Sequence, residues 1–450
     1  MISLRQGLSD EQLSRGFEPA TDIFHHKDLA DRLNNLLSNV GGSTVCLLDG
    51  RWGTGKSTFV KQWRAELEKS GQKSIYFDAF ASDYVDTPFT ALAGIFIRAA
   101  HELKVGDAAV AHFIDKAAKI GKALAASSAK IGIKVATLGA LDGSEIDGLA
   151  GAIADGLGDI AEANVKKVLE EHAERESQFA AMRLALEELT NSLRGMEKEG
   201  VAPPLLIFID ELDRCRPDFS LGILEILKHF FNVSGAHFIL ITSKRSLELA
   251  VDGRYGPGVS SSEYLEKFYD FVVLFENKHE RGSQGSIDPF LTRILDRFVP
   301  EETSESHDFK DAVREVCIAY RLSLRQIENV CINACLGFVS VKSLRIFKPG
   351  ILIVFAALVK SMNLEMYRNM REGSLSWSEV DEFLNRGSWR DPFGDRMRSI
   401  MQWHFDGGID ANSQEWSGYR GFTAFGLGRL QTMKYICTSI VDRFAIGPDG

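Results

Sequence analysis

The sequence predicts an α/β fold, a parallel sheet with helices on both faces, carrying an inserted helical hairpin and a C-terminal helical lid domain. Three observations predict it. An apolar run, Thr44-Val45-Cys46-Leu47-Leu48-Asp49, leads into Gly50-Arg51-Trp52-Gly53-Thr54-Gly55-Lys56-Ser57-Thr58 and then into helical spacing. A second apolar run, Leu205 to Ile209, closes on Asp210 and Glu211. Further short apolar runs at 74–78, 238–243 and 271–275 alternate with helix-period segments, the pattern of parallel strands joined by helices.

Residues 1–21 read as a loosely held arm. Asp22 to Val40 has Leu29, Leu33, Leu36 and Leu37 on one face and predicts a helix. Adjacent His25 and His26 are expected as solvated surface histidines. After the glycine-rich loop, Phe59, Val60, Trp63 and Leu67 recur at helical spacing from about Lys56 to Ser70, with Gly71 as the stop. Ser74 to Asp78 is the second strand. Thr87-Pro88 reads as an N-cap followed by an N1 proline, opening the next helix.

Residues 107–200 change in composition, rich in Ala, Gly and Lys and then in Glu. Ile120, Leu124, Ile131, Val135 and Leu138 form one stripe, broken at Asp142-Gly143. A second stripe begins with Ile146, Leu149, Ile153, Leu157 and Ile160 and runs on to about Met196. A helical hairpin is expected, with its two stripes packed together. Neither arm has the roughly 20 uncharged residues needed to span a bilayer. Lys116, Lys119, Lys122, Lys130 and Lys134 flank the first stripe, so peripheral contact with an anionic membrane and contact with a partner stay open beside that packing. Pro203-Pro204 closes the insertion. The helical part from about 287 includes an apolar stretch from Gly350 to Val359, too short for a membrane and expected as a buried helix. The boundaries that follow are an arm at 1–21, a core at 22–106 and 201–285, the hairpin at 107–200, a helical lid at 286–400 and a Gly- and aromatic-containing appendage at 401–450.

The chemistry is concentrated in two places. Gly50, Gly53 and Gly55 let backbone N–H groups wrap around phosphates, with Thr54 and Thr58 in the same cradle. Lys56 is placed for the β- and γ-phosphates and Ser57 for Mg²⁺, and the following helix turns its positive end to the anion. Asp210, at the carboxyl edge of a buried strand, is suited to hold Mg²⁺ with Ser57. Glu211 is the natural base for an attacking water. Arg214 reads two ways, on a γ-phosphate or paired with Asp213 or Asp210. Thr242 or Ser243 could sense the γ-phosphate or cap the next helix.

Composition limits the alternatives. The chain has 450 residues, a net charge of −10 and a pI near 5.6, which argues against a general nucleic-acid surface. Its six cysteines lack disulfide or zinc spacing, and Cys331 and Cys335 are expected as small buried residues. The N-terminus lacks the apolar core of a signal peptide, so a cytoplasmic location is expected.

These residues resemble the KAP family of P-loop NTPases. The likeness rests on Trp52-Gly53-Thr54-Gly55-Lys56-Ser57 and Ile209-Asp210-Glu211-Leu212-Asp213-Arg214-Cys215. Tyr264-Leu265-Glu266-Lys267 and Leu324-Arg325-Gln326-Ile327 add weaker support, and the likeness covers roughly 22–390. It implies an additional-strand, catalytic-glutamate core, ATP as nucleotide, and a helical lid whose Arg325 touches the nucleotide. Many members carry spanning helices where this chain has its hairpin, and an Asp where it has Ser243-Lys244. Bacterial relatives often occur in phage-exclusion settings. The function expected is an ATP-driven switch acting on an unidentified protein partner or on a homo-oligomer. A nucleotide-gated scaffold with little turnover is the alternative, and a small-molecule kinase comes third because no acceptor pocket is evident.

Overall fold

Five apolar runs build one parallel sheet: β1 (Thr44–Asp49), β2 (Ser74–Asp78), β3 (Leu205–Asp210), β4 (Ala236–Thr242) and β5 (Phe271–Leu274). They stand in the order β2-β3-β4-β1-β5. β4 therefore separates the strand entering the glycine-rich loop from the strand ending in the acids. Asp49 lies opposite Thr242, and Asp210 opposite Ile241. The three central strands are buried almost throughout, as their unbroken apolar runs require. The structure, a computed structural model, describes residues 7–85, 87–130, 158–195, 202–230, 233–256, 258–279, 286–300, 303–340, 349–390, 392–410, 414 and 427–442.

Helices cover both faces. On one, α2 (Lys27–Asn39) and α3 (Lys56–Lys69) pack Leu33, Leu37, Phe59 and Trp63 against Leu48, Phe208 and Ile239. On the other lie α4 (Pro88–Glu102) and the helix Pro217–Phe230. The predicted start of α4 holds, since the Thr87 hydroxyl caps Thr90 N–H ahead of Pro88.

The arm departs from expectation. A short helix, α1 (Asp10–Ser14), leads to Phe17, which is buried 5.9 Å from the Phe59 ring. Gln62 donates to the Gly16 carbonyl at 3.3 Å, and Phe17 N–H donates to Glu66 at 3.2 Å. One buried aromatic, worth about 1.5–3 kcal/mol, is enough to hold so short a segment. α2 starts at Lys27 rather than Asp22 because the Asp22 carboxylate accepts from His26 N–H at 2.7 Å and from Lys27 N–H at 3.0 Å, capping the helix. His26 is also not a solvated histidine. Its ring lies 4.7 Å from Phe275 and 5.6 Å from Phe59, and burial lowers its pKa to about 4.

In the insertion, α5 (Asp107–Lys130) packs against the helix Gly158–Arg194. The contact differs from the expected one. Val110, Phe113, Ala117 and Ile120 meet Met182, Ala185, Leu186 and Leu189, and all of them join the core on that face of the sheet. Thus the base of the hairpin is part of the sheet's packing. Lys116 and Lys119 both reach Asp115. Ile131, Lys134, Val135, Leu138 and residues 146–157 lie outside the described residues, as does Gly418–Phe422.

From Asp288 onward the described residues are mostly helical and form their own core. The helix Gly350–Met362 is the axle, with Ile351 through Val359 all buried, as its apolar run predicts. The helix Phe393–Phe405 runs straight through the expected boundary at 400/401. Met433, Ile436, Cys437 and Ile440 beyond it pack into the lid's core, so the described end of the chain belongs to the lid rather than forming a separate appendage. Cys331 and Cys335 are buried, as expected. Among the described residues no helix is long and apolar enough to cross a membrane.

Candidate functional site

The site lies where β1, β3 and β4 end. Between β1 and α3 the chain turns through Gly53 (φ 79°) and Gly55 (φ 95°), left-handed conformations that cost a side-chain-bearing residue energy. α3 begins directly at Lys56, so the unpaired N–H groups of its first turn, including Ser57 and the exposed Thr58, face the loop. Lys56 is buried and folds back to donate to the carbonyls of Gly50 and, at 3.3 Å, Arg51. Burial pulls its pKa down, opposed chiefly by Asp213, Asp210 and Asp49. The loop thus holds a desolvated ammonium that an incoming phosphate can take from two carbonyls. Thr54 closes the turn through its hydroxyl to the Arg51 carbonyl at 2.9 Å, and Asn277, after β5, donates to Thr54 O at 3.1 Å.

Opposite Lys56, Asp210 is 1% exposed. Its Oδ1 accepts from Glu211 N–H at 2.8 Å and its Oδ2 from the Tyr76 hydroxyl at 2.9 Å, and Ser57 also hydrogen-bonds to it. Burial raises the pKa of this carboxyl, and those hydrogen bonds and Lys56 oppose the rise. A buried carboxylate beside a serine hydroxyl is a donor set suited to a hard divalent cation.

Glu211 adopts a left-handed conformation at φ 62°, unusual for a residue with a side chain. Its carboxylate pairs with Arg214, whose Nη2 lies 3.1 Å from Oε1. Burial is the main influence raising the Glu211 pKa, and Arg214 lowers it. Of the two roles open to Arg214 from the sequence, the pairing is with Glu211, not with Asp213 or Asp210.

Asp213 is occupied elsewhere. It accepts from the indole N–H of Trp52 in the loop and, at 3.0 Å, from Ser243 N–H after β4. One carboxylate therefore ties together the exits of three strands. The Ser243 hydroxyl caps the helix Lys244–Tyr255, while Lys244 N–H donates to Asp49 at 2.8 Å. Thr242 carries a buried hydroxyl with no partner.

The lid reaches the loop through the first turn of the helix Leu324–Ser340. Arg325 N–H donates to Gly53 O at 3.3 Å. A Cβ on Gly53 would lie 2.6 Å from Arg325 Cβ, so only glycine permits this approach. The Arg325 side chain itself is exposed beside the loop.

The fold and the loop therefore match a single class, the P-loop NTPases. A model of the KAP family P-loop domain matches residues 26–333, more than half of the chain. This chain belongs to the KAP family. No curated protein matches the sequence. Among solved structures, the ORC2 protein of Aeropyrum pernix, in its ADPNP–ADP complexes, is similar at 13% identity and a TM-score of 0.34 over 93% of each chain. The matched residues include β1, its glycine-rich loop and β3.

The structure brings Gly50, Gly53, Thr54, Gly55, Lys56, Ser57, Thr58, Asp210, Glu211, Arg214 and Ser243 to one edge of the sheet and sets Arg325 over the loop. Sequence reasoning missed Tyr76, Asn277 and the bracing role of Asp213. Tyr76 could have been found only from the strand order, since β2 becomes the neighbour of β3, pairing Tyr76 with Phe208 across a long stretch of chain.

Proposed function

We propose that this KAP protein binds ATP with Mg²⁺ and hydrolyses it slowly, and that the state of the nucleotide sets the position of the helical lid for a protein partner. The observation that carries the switch is the contact between Gly53 and Arg325, which makes the phosphate loop and the first turn of a lid helix one packed unit. A loop that rearranges around phosphates cannot leave that turn untouched.

In this reading Lys56 leaves the carbonyls of Gly50 and Arg51 and donates to the β- and γ-phosphates. Ser57 and Asp210 would hold Mg²⁺, which supplies charge neutralisation across the phosphate oxygens. Glu211 accepts the proton of a water whose oxygen bonds to the γ-phosphorus as the bond to the β–γ bridging oxygen breaks. ADP leaves with the bridging oxygen, and Arg214 faces charge on the transferred γ-phosphoryl group. Its present pairing with Glu211 holds the base back, which supports low turnover and gives the nucleotide-gated scaffold its physical footing. Phage exclusion, the setting of bacterial relatives, is the context we propose for the switch.

Limited proteolysis with and without ATP tests the switch. The lid's cleavage pattern should change with ATP in the wild type and respond less in Arg325→Ala. An identical response in both would remove the coupling.

A further inference from the structure

We infer that Tyr76 is a positioning residue for the divalent cation, holding Asp210 through its phenolic hydroxyl. This inference rests on the nucleotide reading above. Tyr76 lies on β2 opposite Phe208 of β3, and Asp210 is two residues further along the same face. The hydroxyl crosses to this diagonal neighbour and donates to Oδ2 at 2.9 Å. The ring is fixed in turn, because the Arg64 guanidinium sits 5.2 Å from its centroid and Arg64 Nε donates to the Ser74 hydroxyl at 3.3 Å.

The consequence concerns what remains when Ser57 is called away. Asp210 now takes hydrogen bonds from Ser57, from Glu211 N–H and from Tyr76. A serine hydroxyl that ligates a cation gives up its bond to the carboxylate. Asp210 then keeps one fixed donor on each oxygen, Glu211 N–H on Oδ1 and Tyr76 on Oδ2. With both in place rotation of the carboxylate plane is restrained, and the group stays beside Ser57, which hydrogen-bonds to it here. Mg²⁺ demands near-ideal octahedral geometry, so an acceptor free to swing is a poorer partner for it. Partners that orient metal-binding carboxylates typically change metal affinity by 10–100-fold when removed.

Tyr76→Phe removes one oxygen and leaves the ring under Arg64, so the packing of α3 on β2 is retained. Binding of a fluorescent ATP analogue is titrated with Mg²⁺ for wild type and Tyr76→Phe, and measured for both in EDTA. The Mg²⁺ concentration for half-maximal effect should rise about ten-fold or more in Tyr76→Phe, with affinity in EDTA unchanged. An unchanged Mg²⁺ requirement in the variant overturns the inference while leaving the nucleotide reading intact. Equal weakening with and without Mg²⁺ also overturns it, assigning Tyr76 to packing alone. Failure of the wild type to bind the analogue at all overturns the nucleotide reading and this inference with it.

Discussion

Glu211 and Arg214 form an ion pair at 3.1 Å within a single turn after β3, so the carboxylate and the cation beside it restrain each other. Arg214 is 38% exposed on its side chain, and such a pair contributes about 1 kcal/mol or less. A γ-phosphate carries more charge than one carboxylate and can therefore draw Arg214 away. In the proposed function the pairing would work as a weak latch.

If the latch opens in this way, Arg214→Ala should lower the hydrolysis rate on the order of 10²-fold, as for loss of one transition-state donor. Phosphate-release kinetics would show it. The pH profile supplies a second reading. Burial raises the Glu211 pKa, helped by Asp210, Asp78 and Asp213, and Arg214 opposes the rise. A base is active when deprotonated, so the acid limb of hydrolysis should lie above the ordinary glutamate value of about 4.3. Arg214→Ala should move that limb higher still. An unmoved limb and an unchanged rate would make Arg214 a surface residue only.

Lys56 gives the clearest binding test. The ammonium is already desolvated and held by two loop carbonyls, so little further ordering is needed when phosphate arrives. Lys56→Ala should weaken ATP binding ten-fold or more, about 1.4 kcal/mol. Titration calorimetry returning equal affinities would contradict this placement.

His26 should leave a mark on stability against pH. Its folded pKa, about 4, lies below the ordinary value of 6.5, because burial among Phe24, Phe59 and Phe275 outweighs the attraction of Asp22, and His25 adds repulsion. A depressed folded value means the stability contribution is present above about 6.5 and is lost as pH falls toward 4. A shift of that size corresponds to at most about 3 kcal/mol. His26→Phe keeps an aromatic in the stack and should flatten chemical denaturation midpoints between pH 7 and 4. A slope equal to that of the wild type would show that other groups govern acid sensitivity.

Much of this architecture is legible in the chain. Runs such as Leu205 to Ile209 are unbroken because their strands are buried on both faces, and the spacing of Gly50, Lys56 and Ser57 is dictated by the geometry of phosphate binding. What was not legible depends on which strands become neighbours. Tyr76 meets Asp210 only because β2 stands beside β3, and Asp213 braces Trp52 and Ser243 only because β4 lies between β1 and β3. The arm and His26 misled for a different reason. Short polar segments carry no period, so the single apolar anchor Phe17 and the aromatic neighbours of His26 left no pattern to read.

The most direct test is ATP hydrolysis by Glu211→Gln, measured together with ATP binding. The amide keeps the size of the side chain and cannot accept a proton. Binding should therefore persist while the rate falls by on the order of 10²–10⁴. Asp213, the other acid of this turn, is engaged by Trp52 and Ser243. Wild-type turnover by Glu211→Gln, or no hydrolysis by the wild type, would contradict the assignment of Glu211 as the base of a KAP ATPase.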